Sequence, residues 1–201
     1  MPELSPADPA TLALLTPAAL PALTVGSADS YSRLVVRGGG DADARKLLVQ
    51  LSPDSLLARP ARRSDSASAV LSGLWLWHDW LDESHTLSQA IHSPTGSYWH
   101  GIMHRREGDF GNAKYWFAKC RSHPAHSRVA ELARPVLDAS PVGGTYAGKL
   151  TRGGWEPYAL VDLAQEADDR PAGDPVRELA VALQRAEWKA LFAETVQEAV
   201  D

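Results

Sequence analysis

Cysteine is nearly absent: Cys120 is the single one in 201 residues. No internal disulfide framework can therefore staple the fold, and a reducing compartment is expected. Cys120 stands among aromatics in an expected helix, where a small buried thiol is a better reading than a nucleophile. Long apolar runs are missing as well, and nothing approaches the roughly 18–20 residues of a membrane span. The first residues, MPELSPADPATLALLTPAALPALTVGS, have apolar character but no positive leading region, and prolines interrupt them. They make a poor signal peptide, so a cytoplasmic protein with no membrane partner is expected. There is no surplus of positive charge either. The net charge is −5 with seven histidines uncounted, which argues against a nucleic-acid partner. The short cluster Arg59, Arg62 and Arg63 sits beside Pro60 and reads as a solvated linker.

Several catalytic signatures are also missing. Gly38-Gly39-Gly40 and Gly143-Gly144 lack the Lys-Ser/Thr or G-x-G-x-x-G context of a phosphate loop. Ser97 has no Gly-x-Ser-x-Gly elbow around it. Strand signals are scarce: Ser30 to Val36 is a short candidate, and Arg37 and three glycines end it at once.

What is present is helical. A hydrophobic content of 44% supports a proper core, and the length fits one domain. Residues 1–40 read as a partly ordered, Pro/Ala-rich arm, and 41–201 as a single all-α domain. Asp41 is placed to cap a helix over Ala42 to Leu51, with a short turn from Asp54 to Ala58. A long central helix is expected over about Ser66 to His92, because Leu71, Leu74, His78, Leu81, His85, Ser88 and His92 follow alternating spacings of three and four. The run His92-Ser93-Pro94-Thr95-Gly96 breaks it. Further helices are expected over Ser97–Glu107, Phe110–Arg121, Ser127–Leu137 (disturbed at Pro135) and from Pro157 to about Ala167. A last one starts at Pro175, capped by Asp174, and runs nearly to Asp201. Ser140 to Gly154 reads as the longest irregular stretch. The fold class is all-α, a helical bundle without a substantial sheet.

Gly101, the Gly108-Asp109-Phe110 turn, Ala113, Phe117, Cys120 and Pro124 resemble one tetratricopeptide-type helical hairpin over about residues 97–124. In that motif small residues let two antiparallel helices approach while aromatics fill the gap. The match departs from the pattern at His100 and His104, where large apolar or aromatic groups are usual, and its closing proline comes about one residue early. No second copy follows at a fixed period, whereas a repeat array needs about three. The block from Trp75-x-Trp77-His78-Asp79 through Trp116-Phe117 also resembles an uncharacterised bacterial protein family, from which no activity carries over.

Two helices carry histidines at helical spacing. His78, Asp82 and His85 stand at i, i+4 and i+7, with His92 two turns further; His100, His104 and Glu107 repeat the arrangement. If the turn at 92–96 folds the two helices back, His85, His92, His100 and His104 can approach one divalent transition metal, since imidazole suits such ions. His78 and His92 lie roughly 21 Å apart along a continuous helix and cannot share an ion. There is no His-Glu-x-x-His, and H-x-x-x-H alone is a weak signal.

The leading expectation is a histidine-lined pocket between the 66–92 and 97–107 helices that takes a small polar or anionic molecule. His85, His92, Trp99, Arg105, Arg106, Asn112 and Lys114 are its candidate ligand-binding residues. His100, His104 and Glu107 are the candidate catalytic groups, histidine serving as general acid or base near neutrality. Arg105 and Arg106 suit an anion, or alternatively an arginine–acid network between helices. Asp109 is read as a helix cap. The competing expectation is a helical module with a protein partner, in which the histidines are structural.

Overall fold

The computed structural model describes residues 6–26 and 30–201. Among these residues the chain forms twelve α-helices and no strand; Leu15 and Leu57 make an isolated antiparallel bridge. The helices are α1 (Pro9–Ala13), α2 (Leu20–Thr24), α3 (Ala42–Leu48), α4 (Pro53–Leu56), α5 (Ser64–Trp77), α6 (Leu81–Ser88), α7 (Pro94–Glu107) and α8 (Phe110–Phe117). They continue with α9 (Ala125–Ala139), α10 (Gly143–Leu150), α11 (Pro157–Ala167) and α12 (Pro175–Val200). The all-α class is as read from the sequence, and the stretch Ser30 to Val36 contains no strand.

The longest helix, α12, organises the rest. Pro175 opens it and the Asp174 carboxylate accepts from the Val176 and Arg177 amides, satisfying donors a helix start leaves free. It packs against α5, α9 and α11. Trp188 on α12 is fully buried, donates to the Gly73 carbonyl of α5 at 2.9 Å and lies 4.4 Å from the Trp77 ring. Gly73 has no side chain to hold these elements apart: a Cβ there would stand 2.9 Å from the Trp99 ring of α7.

Two expectations need correction. The 66–92 segment is two helices, broken at His78-Asp79-Trp80. The amide of Trp80 donates to the Trp75 carbonyl at 3.0 Å and that of Asp79 to Leu76 at 3.1 Å, the paired bonds of a Schellman end. Asp79 takes the left-handed conformation this end requires, with φ at +65°, a place usually filled by glycine. Residues 140–154 are not one irregular stretch, because α10 occupies their centre, buries Leu150 and packs on α9. Within the first 40 residues, Ala19, Ala22, Leu23, Tyr31 and Leu34 are fully buried. Pro135 leaves α9 continuous, since it lies on an exposed face where water can take the carbonyl its ring leaves unbonded.

α7 and α8 form the expected hairpin. Ser93 caps α7 by accepting from the Gly96 amide, with Pro94 in the first turn, so the helix begins three residues earlier than the spacing predicts. Gly108, at φ +91°, ends it, and Asp109 caps α8 through the Asn112 amide at 3.0 Å. A Cβ on Gly101 would sit 3.0 Å from the Phe117 ring, which shows how closely the two helices pack.

Candidate metal centre

The break at Asp79 decides which histidines meet. His78 ends α5 and turns away: its Nε2 lies 2.5 Å from the Ala22 carbonyl and its Nδ1 3.4 Å from the Ser30 hydroxyl. His85, on the separate helix α6, is brought to His100 and His104 on α7. The rings of His100 and His104 stack at 4.6 Å, and His85 meets them edge-on at 4.8 and 5.4 Å. One nitrogen from each of the three lies within 4.8 Å of the others. Trp116 of α8 stacks on His100 at 3.9 Å.

The hydrogen bonds around the cluster assign its lone pairs. His104 Nδ1 is 2.6 Å from Glu107 Oε1, so Nδ1–H donates to the carboxylate and Nε2 is the unprotonated nitrogen. The Asn112 amide nitrogen lies 3.1 Å from that Nε2 and donates to it. His100 Nδ1 is buried with no partner. Burial pushes the His100 pKa down to about 3, and His104, His85 and Lys119 add repulsion against a proton. His100 is thus neutral across the physiological range, the form a metal ion requires.

A first-row metal holds imidazole nitrogens at about 2.0–2.1 Å. Two ligands of one ion can therefore be no more than roughly 4 Å apart. The 4.8 Å spread is wider than that, so binding an ion would require the rings to draw together and the Asn112 amide to leave His104 Nε2. His85 is half-buried and Glu107 exposed, so the cluster reaches solvent on that side.

The other candidates separate. His92 is exposed and follows the end of α6, so it does not join the three histidines. Trp99 is fully buried and donates to the Thr195 hydroxyl at 3.1 Å, as a core residue. Arg105 and Arg106 are fully buried and face other partners. Arg105 donates to Gln184 and Glu187 of α12. Arg106 donates to Asp79 and to the carbonyls of Leu76 and Arg33, and stacks 3.7 Å over Tyr31. Neither guanidinium is available to an anion beside the histidines; they are the inter-helix network instead. Lys114 pairs with Asp162 on α11. Of the polar groups expected there, Glu107 and Asn112 do touch His104.

Glu187 was legible only indirectly. It stands on the apolar stripe of α12, between Leu183 and Leu191, where a carboxylate needs a buried partner. Thr95, His123 and Glu198 form a second polar chain that sequence spacing does not reveal. His123 Nδ1 accepts from the Ala125 amide at 3.1 Å, so its Nε2–H donates to the Thr95 hydroxyl, which donates to Glu198. This polarity leaves no imidazole lone pair to activate Thr95, so the chain is a structural relay and not a nucleophile with its base.

The chain matches no family model, no curated protein and no solved structure. The reading of the site therefore stands on its geometry.

Cavities of about 300, 650, 220 and 620 Å³ open elsewhere, and His85, His100 and His104 line none of these four.

Proposed function

We propose that this protein binds one divalent first-row transition metal through His85, His100 and His104. The observation that carries the reading is the convergence of three imidazole nitrogens from two helices, with His100 Nδ1 buried and unpartnered. A buried polar nitrogen without a bond is costly, and an ion would supply its partner. Glu107 on His104 Nδ1 supports it further, since a carboxylate behind a ligating imidazole fixes the tautomer and raises its basicity.

Three protein ligands leave a coordination position for water or for a small polar or anionic molecule. A metal there would lower the pKa of bound water or polarise a ligand oxygen. In that case the three histidines act as ligands, and Glu107 orients His104 from behind through its Nδ1–H. The alternative of a protein-interaction module draws less support. Val49, Tyr115 and Leu132, the large exposed hydrophobics among the described residues, lie on or just after three different helices.

The test is metal analysis of untagged protein after equilibrium dialysis against Zn²⁺, Co²⁺ and Ni²⁺. One equivalent is expected for the wild type and for His92→Ala. It should be lost in the His100→Ala/His104→Ala double variant, with helicity retained by circular dichroism. Sub-stoichiometric binding in the wild type, or full binding by the folded double variant, would sink the proposal.

A further inference from the structure

A second site stands apart from the histidine cluster and does not depend on it. A cavity of about 300 Å³ opens where the turn after α8 and the starts of α9 and α11 meet. That volume is at the small end of the range for ligand pockets, roughly 300–1,000 Å³. Its wall is aromatic: Phe117, Trp155 and Tyr158 contribute, and Trp155 is fixed by donating its indole N–H to the buried Glu187 at 3.2 Å. Its charge is mixed. Arg121 and Glu156 both line it and both are exposed, yet among the described residues neither belongs to an ion pair. Arg121 instead lies 5.7 Å over the Tyr158 ring. His126 and Pro157 complete the lining; His126 is half-buried, and its buried Nε2 has no partner.

Two opposite charges that share a small cavity without neutralising each other are complementary to a ligand carrying both. A simple anion would meet Glu156 unfavourably, and a simple cation would meet Arg121. A guanidinium suits a carboxylate in a forked geometry, and a carboxylate suits an ammonium. The aromatic wall would take an apolar or planar remainder. We infer that this cavity binds a small zwitterion, a free α-amino acid with an aromatic side chain, with its carboxylate toward Arg121 and its ammonium toward Glu156.

The test is isothermal titration of the full chain with three probes: L-phenylalanine, 3-phenylpropionate (the carboxylate without the ammonium) and 2-phenylethylamine (the ammonium without the carboxylate). L-Phenylalanine is expected to bind at least about tenfold tighter than either half, the scale of one charge-assisted hydrogen bond. Arg121→Gln should erase its advantage over phenylethylamine, and Glu156→Gln its advantage over phenylpropionate. Both side chains are exposed, so neither variant should disturb the fold, and unfolding midpoints check this. The inference is overturned if L-phenylalanine shows no binding at millimolar concentration, or if a half binds as tightly. It is also overturned if either variant leaves its matching advantage intact. The Arg121 and Glu156 variants should leave metal stoichiometry unchanged, so failure here and failure of the metal reading are separable.

Discussion

Arg106 on α7 donates to the carboxylate of Asp79, at 2.6 Å, and Asp79 is the residue whose left-handed backbone separates α5 from α6. The strained position and the buried cation are thus held by one contact. Arg33 adds a second, weaker contact to the same carboxylate at 3.3 Å.

Asp79→Ala should be among the more damaging single changes. It leaves the fully buried Arg106 guanidinium without its anion, a loss of about 3–5 kcal/mol, and it keeps the backbone strain. Asp79→Gly loses the same pair but relieves a left-handed conformation that costs an L-residue about 1–2 kcal/mol. Urea unfolding is expected to rank wild type above Asp79→Gly, and Asp79→Gly above Asp79→Ala. Equal stability of the two variants would mean that the backbone at Asp79 is not strained.

Acid should weaken the fold earlier than carboxylate titration alone would. Burial is the main cause that holds His100 at about 3 and His123 at about 4, both below the ordinary histidine value, and nearby histidines add repulsion. Burial lowers His78 and His126 in the same direction. A depressed folded-state pKa means that the unfolded chain takes the proton first. Stability is therefore whole above about pH 6.5 and falls below it, by about 1.4 kcal/mol per pH unit for each such histidine. The His123 contribution should continue to about pH 4 and the His100 contribution to about pH 3. Unfolding free energies from pH 7.5 to 4.5 measure this, and His100→Gln should reduce the slope. A profile flat down to pH 5 would contradict it.

Gly73→Ala and Gly148→Ala should have opposite signs. Both sit inside helices, where alanine is intrinsically better by up to about 1 kcal/mol. At Gly73 the new methyl group meets the Trp99 ring at 2.9 Å and Phe192 at 3.3 Å, and overpacking of about 1–3 kcal/mol should outweigh the gain. At Gly148 nothing lies within 4 Å, so the gain should appear as a higher melting temperature. Thermal unfolding of the two variants decides it; a stabilised Gly73→Ala would show that α5 and α7 are more loosely packed than the structure has them.

The thiol of Cys120 should be inert in the native protein. Burial pushes its pKa up to about 12, with the negative charge of Glu187 adding to the effect. A thiol-specific reagent should label it on the timescale of unfolding and promptly in denaturant. Fast stoichiometric labelling of folded protein would contradict the buried placement.

Helix starts and stops were largely legible because they are local. Asp41, Asp109 and Asp174 cap by bonding amides two or three residues ahead, and Gly108 ends α7 through its own backbone freedom. The break at Asp79 was not legible. Aspartate enters the left-handed region more readily than most residues, but it does so at few of its positions, and the groups that hold it there, Arg106 and Arg33, lie 27 and 46 residues away. Of His85, His92, His100 and His104, the structure brings together His85, His100 and His104 and leaves His92 apart, because the spacing presumed a continuous helix and a shared stripe. Arg105 and Arg106 looked like ligand groups because the acids that bury them, Glu187 and Asp79, come from other helices.

Composition and short-range pattern by themselves determined an all-α chain, a close hairpin at Gly101 and Phe117, and histidines repeated along two helices. Each follows from propensity, capping and periodicity, which act over a few residues. Tertiary structure alone decided that the chain would turn at Asp79 and lay α6 back against α5, carrying His85 to His100 and His104 while His78 and His92 go elsewhere. It did so because the groups that meet Asp79 at that turn, Arg106 and Arg33, come from distant parts of the chain, and such contacts belong to the packed molecule and to no single segment of it.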